Sequence, residues 1–343
     1  VRSSSIIYLI TRTHGRRTHL LTSERIKTIS KSKSLSEMVD QLLRSDYAAE
    51  ISKLPSEEVD SVWLEKIFLK TLVERFFTLT THTKGNVREF LEAFAARIEV
   101  ENLKRVIRAK HAQEKIEEQN LVPLGREHTL INFPALTKAE NIEEVVSLLP
   151  ETEYASIDER LDTYRRTRLP IVLESFLDRV YFTKLWERTG KMVENEGIKR
   201  LVGEEVDLWN LQLILTLKLR DLAPRLIEET VIPIYYRLNE FKLRSLAQGG
   251  LEDVQEILAG TTYDDVAEET LKKSKEPAIS LETVISKRLY QDASFALKTL
   301  FLESGYVIAY LLLCEREAKN LVTIATALDL KIPEEELQRR LLL

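Results

Sequence analysis

Residues 142–154 read IEEVVSLLPETEY, and the same pattern returns as LSEMVDQLLRSDY at 35–47 and LEDVQEILAGTTY at 251–263. The three segments align without a gap. Apolar residues fall at the first, fourth and eighth places: Leu35, Met38, Leu42; Ile142, Val145, Leu149; Leu251, Val254, Leu258. That is the i, i+3, i+7 stripe of a short amphipathic helix. Just before stand Ser34, Asn141 and Gly250, all suited to an N-cap, and three positions on come Glu37, Glu144 and Asp253. The first two have the order of a capping box. A turn-favouring hydroxyl, Ser45, Thr152 or Thr261, then precedes Tyr47, Tyr154 or Tyr263 by two residues. The expectation is a helix stop anchored by a ring whose hydroxyl needs a polar partner.

Two further boxes keep step with the first. One reads NLKRVIRAK from Asn102, NLQLILTLK from Asn210 and, more loosely, NLVTIATAL from Asn320, at offsets of 108 and 110. The other opens with Leu64-Glu65, Leu173-Glu174 and Leu281-Glu282, at offsets of 109 and 108. Three short motifs in constant order and spacing make an internal triplication. Its phase is uneven. The chain begins with a capped helix that lacks the preceding boxes and ends with boxes that lack a capped helix. Three units are therefore expected: residues 55–160, residues 161–270, and residues 271–343 completed by 1–54. Joining the two chain ends predicts a closed, pseudo-threefold arrangement rather than an open solenoid.

Between the boxes apolar residues recur at helical spacing (Leu72, Phe76; Phe176, Val180), and no alternating strand pattern stands out. The chain has 343 residues with only 10 Gly and 9 Pro, few turn-makers for its length, which favours long helices. The fold class expected is all-α, with a dozen helices or more. Breaks are expected at Lys53–Ser56, Gly85, Pro123–Pro134, Leu169-Pro170, Gly190–Gly203, Gly249-Gly250 and near Pro277.

Composition narrows function. Fifty basic residues against 55 acidic give a net charge of −5, no general field for nucleic acid. A single cysteine, Cys314, allows no disulfide within the chain and fits an inert core thiol. The most apolar run, Tyr306–Cys314, is about half of what a spanning helix needs. The start is basic, from Arg12, Arg16 and Arg17 through Lys33, against Glu24 alone. It superficially resembles an organellar transit peptide, but Ser34 onward already belongs to the repeat. The Arg12–Arg17 cluster reads as a charged loop, with acidic partners or lipid headgroups as the alternative.

No phosphate loop, dinucleotide fingerprint, zinc helix or nucleophile elbow is present, and the five histidines show no ligand spacing. Neither a metal nor a cofactor is expected. The best enzymatic candidate is Asp264-Asp265 with Glu268, an aspartate-rich turn of the kind that holds magnesium on a diphosphate. The equivalent places after Tyr47 and Tyr154 hold Ala48-Ala49 and Ala155-Ser156, so a solvated acidic face is expected instead. Glu65, Glu174 and Glu282 fit capping or surface roles better than a ring of charge. Asn102, Asn210 and Asn320 are expected to bond backbone or neighbouring helices, because a buried unpaired amide is costly.

Tyr8-Leu-Ile-Thr-Arg12, the capped helices ending in Tyr47 and Tyr154, and Glu99-Val-Glu-Asn-Leu-Lys-Arg-Val-Ile-Arg108 give the chain its resemblance. It resembles the C subunit of the archaeal or bacterial A/V-type ATP synthase, the family that includes the d subunit of vacuolar ATPases. The third Asn-Leu box departs from the other two in lacking their terminal Lys, and Gly250 replaces a side-chain cap. The resemblance implies a funnel-shaped, all-helical, non-catalytic central-stalk component of a proton- or sodium-translocating rotary machine. It implies a peripheral place on the cytoplasmic face, with the proteolipid ring and the rotor shaft as partners. The rival readings are a magnesium-dependent diphosphate enzyme using Asp264, Asp265 and Glu268, and a generic helical scaffold.

Overall fold

A computed structural model describes residues 4–53, 59–193, 195–273 and 281–343. Among the described residues every regular element is helical: nineteen α-helices and three short 3-10 turns. The Leu-Glu boxes open helices Ser61–Thr80, Ile171–Gly190 and Leu281–Thr299. The Asn-Leu boxes lie in Arg97–His111, Glu196–Lys218 and Gly305–Asp329. The first of these continues a shorter helix, Gly85–Ala95, after a break at Ala96. The break frees the Phe94 carbonyl, which accepts from Arg97 Nε at 3.2 Å.

The capped helices follow the expected chemistry in two copies. Ser34 accepts the Glu37 N–H at 3.2 Å and Asn141 accepts the Glu144 N–H at 2.9 Å. The Glu side chains reach one residue beyond the cap, to the N–H of Lys33 and of Glu140. Gly250 is a correction. It has no side-chain oxygen to offer, so residues 251–253 form a turn, Asp253 Oδ2 accepts the Gly250 N–H at 2.7 Å, and the helix is Val254–Leu258. Two other expectations also fail. Gly203 lies inside Glu196–Lys218 rather than at a break, where the Tyr236 ring fills the space a Cβ would occupy. Arg12–Arg17 is helical, the end of Ser4–Arg17. The breaks expected at Lys53–Ser56 and near Pro277 fall wholly or partly outside the described residues.

The three Asn-Leu helices end alike. Eleven residues past each Asn, Gln113, Asp221 and Lys331 adopt φ of 58°, 53° and 54°. The next N–H reaches back to Ala109, Leu217 and Ala327 carbonyls, which is the Schellman closure. A left-handed backbone costs an L-residue about 1–2 kcal/mol, and glycine avoids it at some entropic cost. Asp221→Gly and Lys331→Gly, both at exposed sites, should each raise stability by about 0.5–1 kcal/mol, read as a higher urea midpoint at unchanged slope.

The cores explain how the ends of the chain meet. The first halves of Glu196–Lys218 and Gly305–Asp329 share one large core with the helices between residues 72 and 185, and Gly197 and Gly305 bring their backbones into contact. Their second halves separate. Leu208–Leu217 packs with Leu243, Leu258, Tyr263 and Ile285. Leu321–Ala327 packs with Ile29, Met38, Leu42, Tyr47 and Phe68. This last core thus joins the beginning and the end of the chain, with Leu64, Ile67 and Phe68 of the Ser61–Thr80 helix added. Each Leu-Glu helix also lies against an Asn-Leu helix outside its own repeat copy. Ser61–Thr80 packs on Gly305–Asp329, Ile171–Gly190 on Arg97–His111, and Leu281–Thr299 on Glu196–Lys218.

Candidate functional site

The Asn of each box builds the same latch three times. Asn102 Nδ2 donates to the Val122 carbonyl at 2.9 Å while its Oδ1 accepts the Val122 N–H at 2.7 Å. Asn210 does the same to Ile232, at 3.0 and 2.9 Å, and Asn320 to Leu342, at 3.2 and 2.8 Å. Each amide so latches an extended segment, satisfying two backbone groups that are buried at Val122 and Ile232 and part-buried at Leu342. Lys110 and Lys218, which end the first two boxes, donate to carbonyls at a helix C-terminus: Thr137, and Ala247 with Gly249. Leu328 stands in the third place and has no donor to offer.

The tyrosines are all buried. In each copy the hydroxyl two residues earlier donates to the helix-end carbonyl and accepts the Tyr N–H: Ser45 with Leu42, Thr152 with Leu149, Thr261 with Leu258. The phenol then meets a carboxylate three residues before the Asn of the box. Tyr47 donates to Glu317 at 2.7 Å and Tyr263 to Asp207 at 3.0 Å. Tyr154 lies beside Glu99 without a well-formed hydrogen bond, and that carboxylate accepts from the Thr129 hydroxyl. Glu99, Asp207 and Glu317 are the residues that reading each box from its Asn onward leaves out.

Five residues before each Asn stand Arg97, Glu205 and Glu315, and Arg97 bridges the two glutamates. Arg97 Nη1 lies 3.0 Å from Glu205 Oε1 and 3.0 Å from Glu315 Oε2, and its Nη2 lies 3.1 Å from Glu205 Oε2. Its guanidinium stacks on Phe94 with 3.8 Å to the ring centroid. All three are largely buried. Burial opposes the charge on Arg97, but the Glu205 and Glu315 carboxylates hold it well above the ordinary arginine range. Burial pushes Glu205 up, whereas Lys319 and Arg97 outweigh it at Glu315 and hold that carboxyl down to about 2.

The remaining candidates do not come together. Glu65 pairs with Arg105 at 3.0 Å, Glu174 takes both arms of Arg108 at 3.0 and 2.6 Å, and Glu282 is exposed in the first turn of its helix. Asp264, Asp265 and Glu268 share the start of helix Asp264–Lys273, where Asp265 is gripped by Arg288 at 2.6 Å. Among the described residues no group of three His, Cys, Asp or Glu is placed to hold a metal ion, and no helix is long and apolar enough to cross a membrane.

Asp207 carries a pH consequence. It is fully buried, and burial pushes its carboxyl up to about 6 against the N–H groups of Arg237 and Leu238 and the Tyr263 hydroxyl. An unfolded aspartate titrates near 3.9. Folding therefore favours the protonated form. The stability this group contributes is present below about pH 4 and is lost as pH rises through about 6. Asp207→Asn removes that slope, so denaturant titrations from about pH 4 to 7 should show the variant gaining about 2–3 kcal/mol on the parent.

The ATP synthase (C/AC39) subunit family matches residues 9–340. The C subunit of the A-type ATP synthase of Methanocaldococcus jannaschii is 28% identical over 98% of this chain and 86% of its own length. That of Methanothermobacter thermautotrophicus is 30% identical over 88% and 80%. That of Archaeoglobus fulgidus is 23% identical over 98% and 96%. With helices throughout, a box repeated three times and a match over nearly its whole length, the chain belongs to the ATP synthase (C/AC39) subunit family.

Proposed function

We propose that this chain is a non-catalytic central-stalk component that couples the rotor shaft of an A/V-type machine to its membrane proteolipid ring, on the cytoplasmic face. Its body would be three units around one axis, residues 55–160, 161–270, and 271–343 completed by 1–54, splayed into a funnel. The observation that carries this is the meeting of Arg97, Glu205 and Glu315. Arg97 lies within 3.1 Å of both glutamates, so equivalent positions of the three copies come together at one junction, as they would if three units were set around one axis. The divergence of the second halves of the long helices into separate cores supports the funnel. Torque transmission needs a stiff, close-packed body with two broad faces rather than a few poised titratable groups. A body docked on the polar loops of a ring needs surface complementarity, not insertion.

The test is retention on partners. Tagged chain mixed with detergent-solubilised proteolipid ring, and separately with the shaft proteins, should carry both through size exclusion. Failure to retain either would overturn the coupling role.

A further inference from the structure

We propose that the Ser4–Arg17 helix and the adjoining Phe301-Leu302 turn form a contact surface for the anionic headgroups of a phospholipid bilayer. The setting rests on the coupling role above, but the supporting observations are local to this helix. Its inner face is anchored. Ile6, Leu9, Ile10 and Thr13 are buried where the helix packs on Gly305–Asp329 and Ser61–Thr80. The outer face exposes Ile7 by 53% and Tyr8 by 39%, and Phe301 and Leu302 nearby are 51% and 56% exposed. His14 ties the two pieces together, with Nε2 2.7 Å from the Phe301 carbonyl oxygen and its ring stacked 4.2 Å from that of Tyr306.

Charge says what covers this face. The helix contains no acid and bears Arg12, His14, Arg16 and Arg17. Several exposed arginines elsewhere find a carboxylate one turn away, as in Arg88–Glu92, Arg225–Glu229, Arg244–Glu240 and Arg340–Glu336, whereas this helix gathers exposed Arg17 with part-buried Arg12 and Arg16 and offers them no acid of its own. Among the described residues no carboxylate pairs with Arg12, Arg16 or Arg17. Asp46 and Glu317 are already engaged by His19, Arg75 and Tyr47. Arg12 instead donates to the Tyr8 hydroxyl at 2.5 Å, which holds a cation against an exposed aromatic ring. A basic helix lying flat on its protein, with an aliphatic and an aromatic side chain turned outward, is built to rest at a headgroup layer. Each arginine near an anionic surface is worth about fivefold in partition.

Flotation of the full chain with vesicles tests this. Phosphatidylglycerol mixed with phosphatidylcholine should carry the protein up the gradient, phosphatidylcholine alone should not, and salt should weaken the binding. Arg12→Gln/Arg17→Gln should lower partition about 25-fold, and Ile7→Ser/Tyr8→Ser should lower it at unchanged salt dependence. Lys331→Gln/Arg339→Gln, at exposed sites remote from this helix in sequence, should leave it unchanged. Far-UV circular dichroism confirms that each variant is folded. Equal flotation on neutral vesicles, none on anionic ones, or an equal loss in the Lys331/Arg339 variant would overturn the assignment. Retention on a ring in detergent, with no bilayer present, reports on the coupling role separately.

Discussion

Replacing Arg97 by methionine is expected to lower the unfolding free energy by about 3 kcal/mol. The exchange leaves Glu205 and Glu315, 11% and 18% exposed, facing each other with no cation between them. It also removes the guanidinium from the Phe94 face. Lys319 lies 2.8 Å from the other side of Glu315, but it is half exposed and screened, so it offsets only part of the loss. The sign of the pH dependence follows. Without Arg97, burial holds Glu205 in its protonated form more strongly than in the parent. The variant should therefore be least impaired near about pH 5 and most impaired near about pH 7.

Two companions make the result interpretable. Arg97→Met/Glu205→Leu/Glu315→Met, apolar throughout, should return stability to the parental level or above it, because a buried ion cluster is held together at the expense of desolvating its members. Arg97→Glu/Glu205→Arg should recover most of the single-variant loss, because the charges still meet across the junction. A loss below about 1 kcal/mol for Arg97→Met, by denaturant midpoint, would place this junction among surface pairs and remove it as the hub.

The capped helices and their boxes are legible because local physics decides them. A side-chain oxygen takes an N–H, apolar residues face one way, and a hydroxyl closes the turn. Where one such atom is missing the reading slips, as at Gly250, whose role passes to Asp253 three residues later. The acids at Glu99, Asp207 and Glu317 keep constant spacing to each Asn. They are overlooked because the exchange of Asp for Glu and the unlike neighbours hide them when each box is started at its Asn. Arg97, Glu205 and Glu315 are hidden for a deeper reason. Side chains that meet in a buried junction must be complementary, so these equivalent positions differ in charge where Arg97 meets the two glutamates, and likeness between the copies does not mark them. The Arg12–Arg17 segment reads as a loop for want of an apolar run, yet Ile6, Leu9, Ile10 and Thr13 supply a buried stripe that tertiary packing completes.

Glu317→Ala should cost about 3–5 kcal/mol and act unevenly along the chain. This one carboxylate, 3% exposed, accepts from Tyr47 at 2.7 Å, from Arg75 at 2.7 Å and from the Leu21 N–H at 2.5 Å. Its removal leaves Arg75, with a 4% exposed side chain, only Asp46 at 3.2 Å, and strands a phenol and an amide as well. All three donors come from the first 75 residues and the acceptor from the last 30, so the bonds lost are those that join the chain ends. Hydrogen exchange should show protection falling first at Ser23–Ile29 and Leu35–Leu42, while Arg97–His111 keeps near-parental rates under native conditions. Asp207→Ala, the equivalent exchange one unit earlier, orphans a phenol and two amides but no cation, and should cost about 1–3 kcal/mol. That order, Glu317 well above Asp207, separates a joint between the termini from a generic buried acid. Uniform loss of protection along the chain would mean that residues 23–42 and the final helices unfold with the rest, and that no separable joint closes the body there.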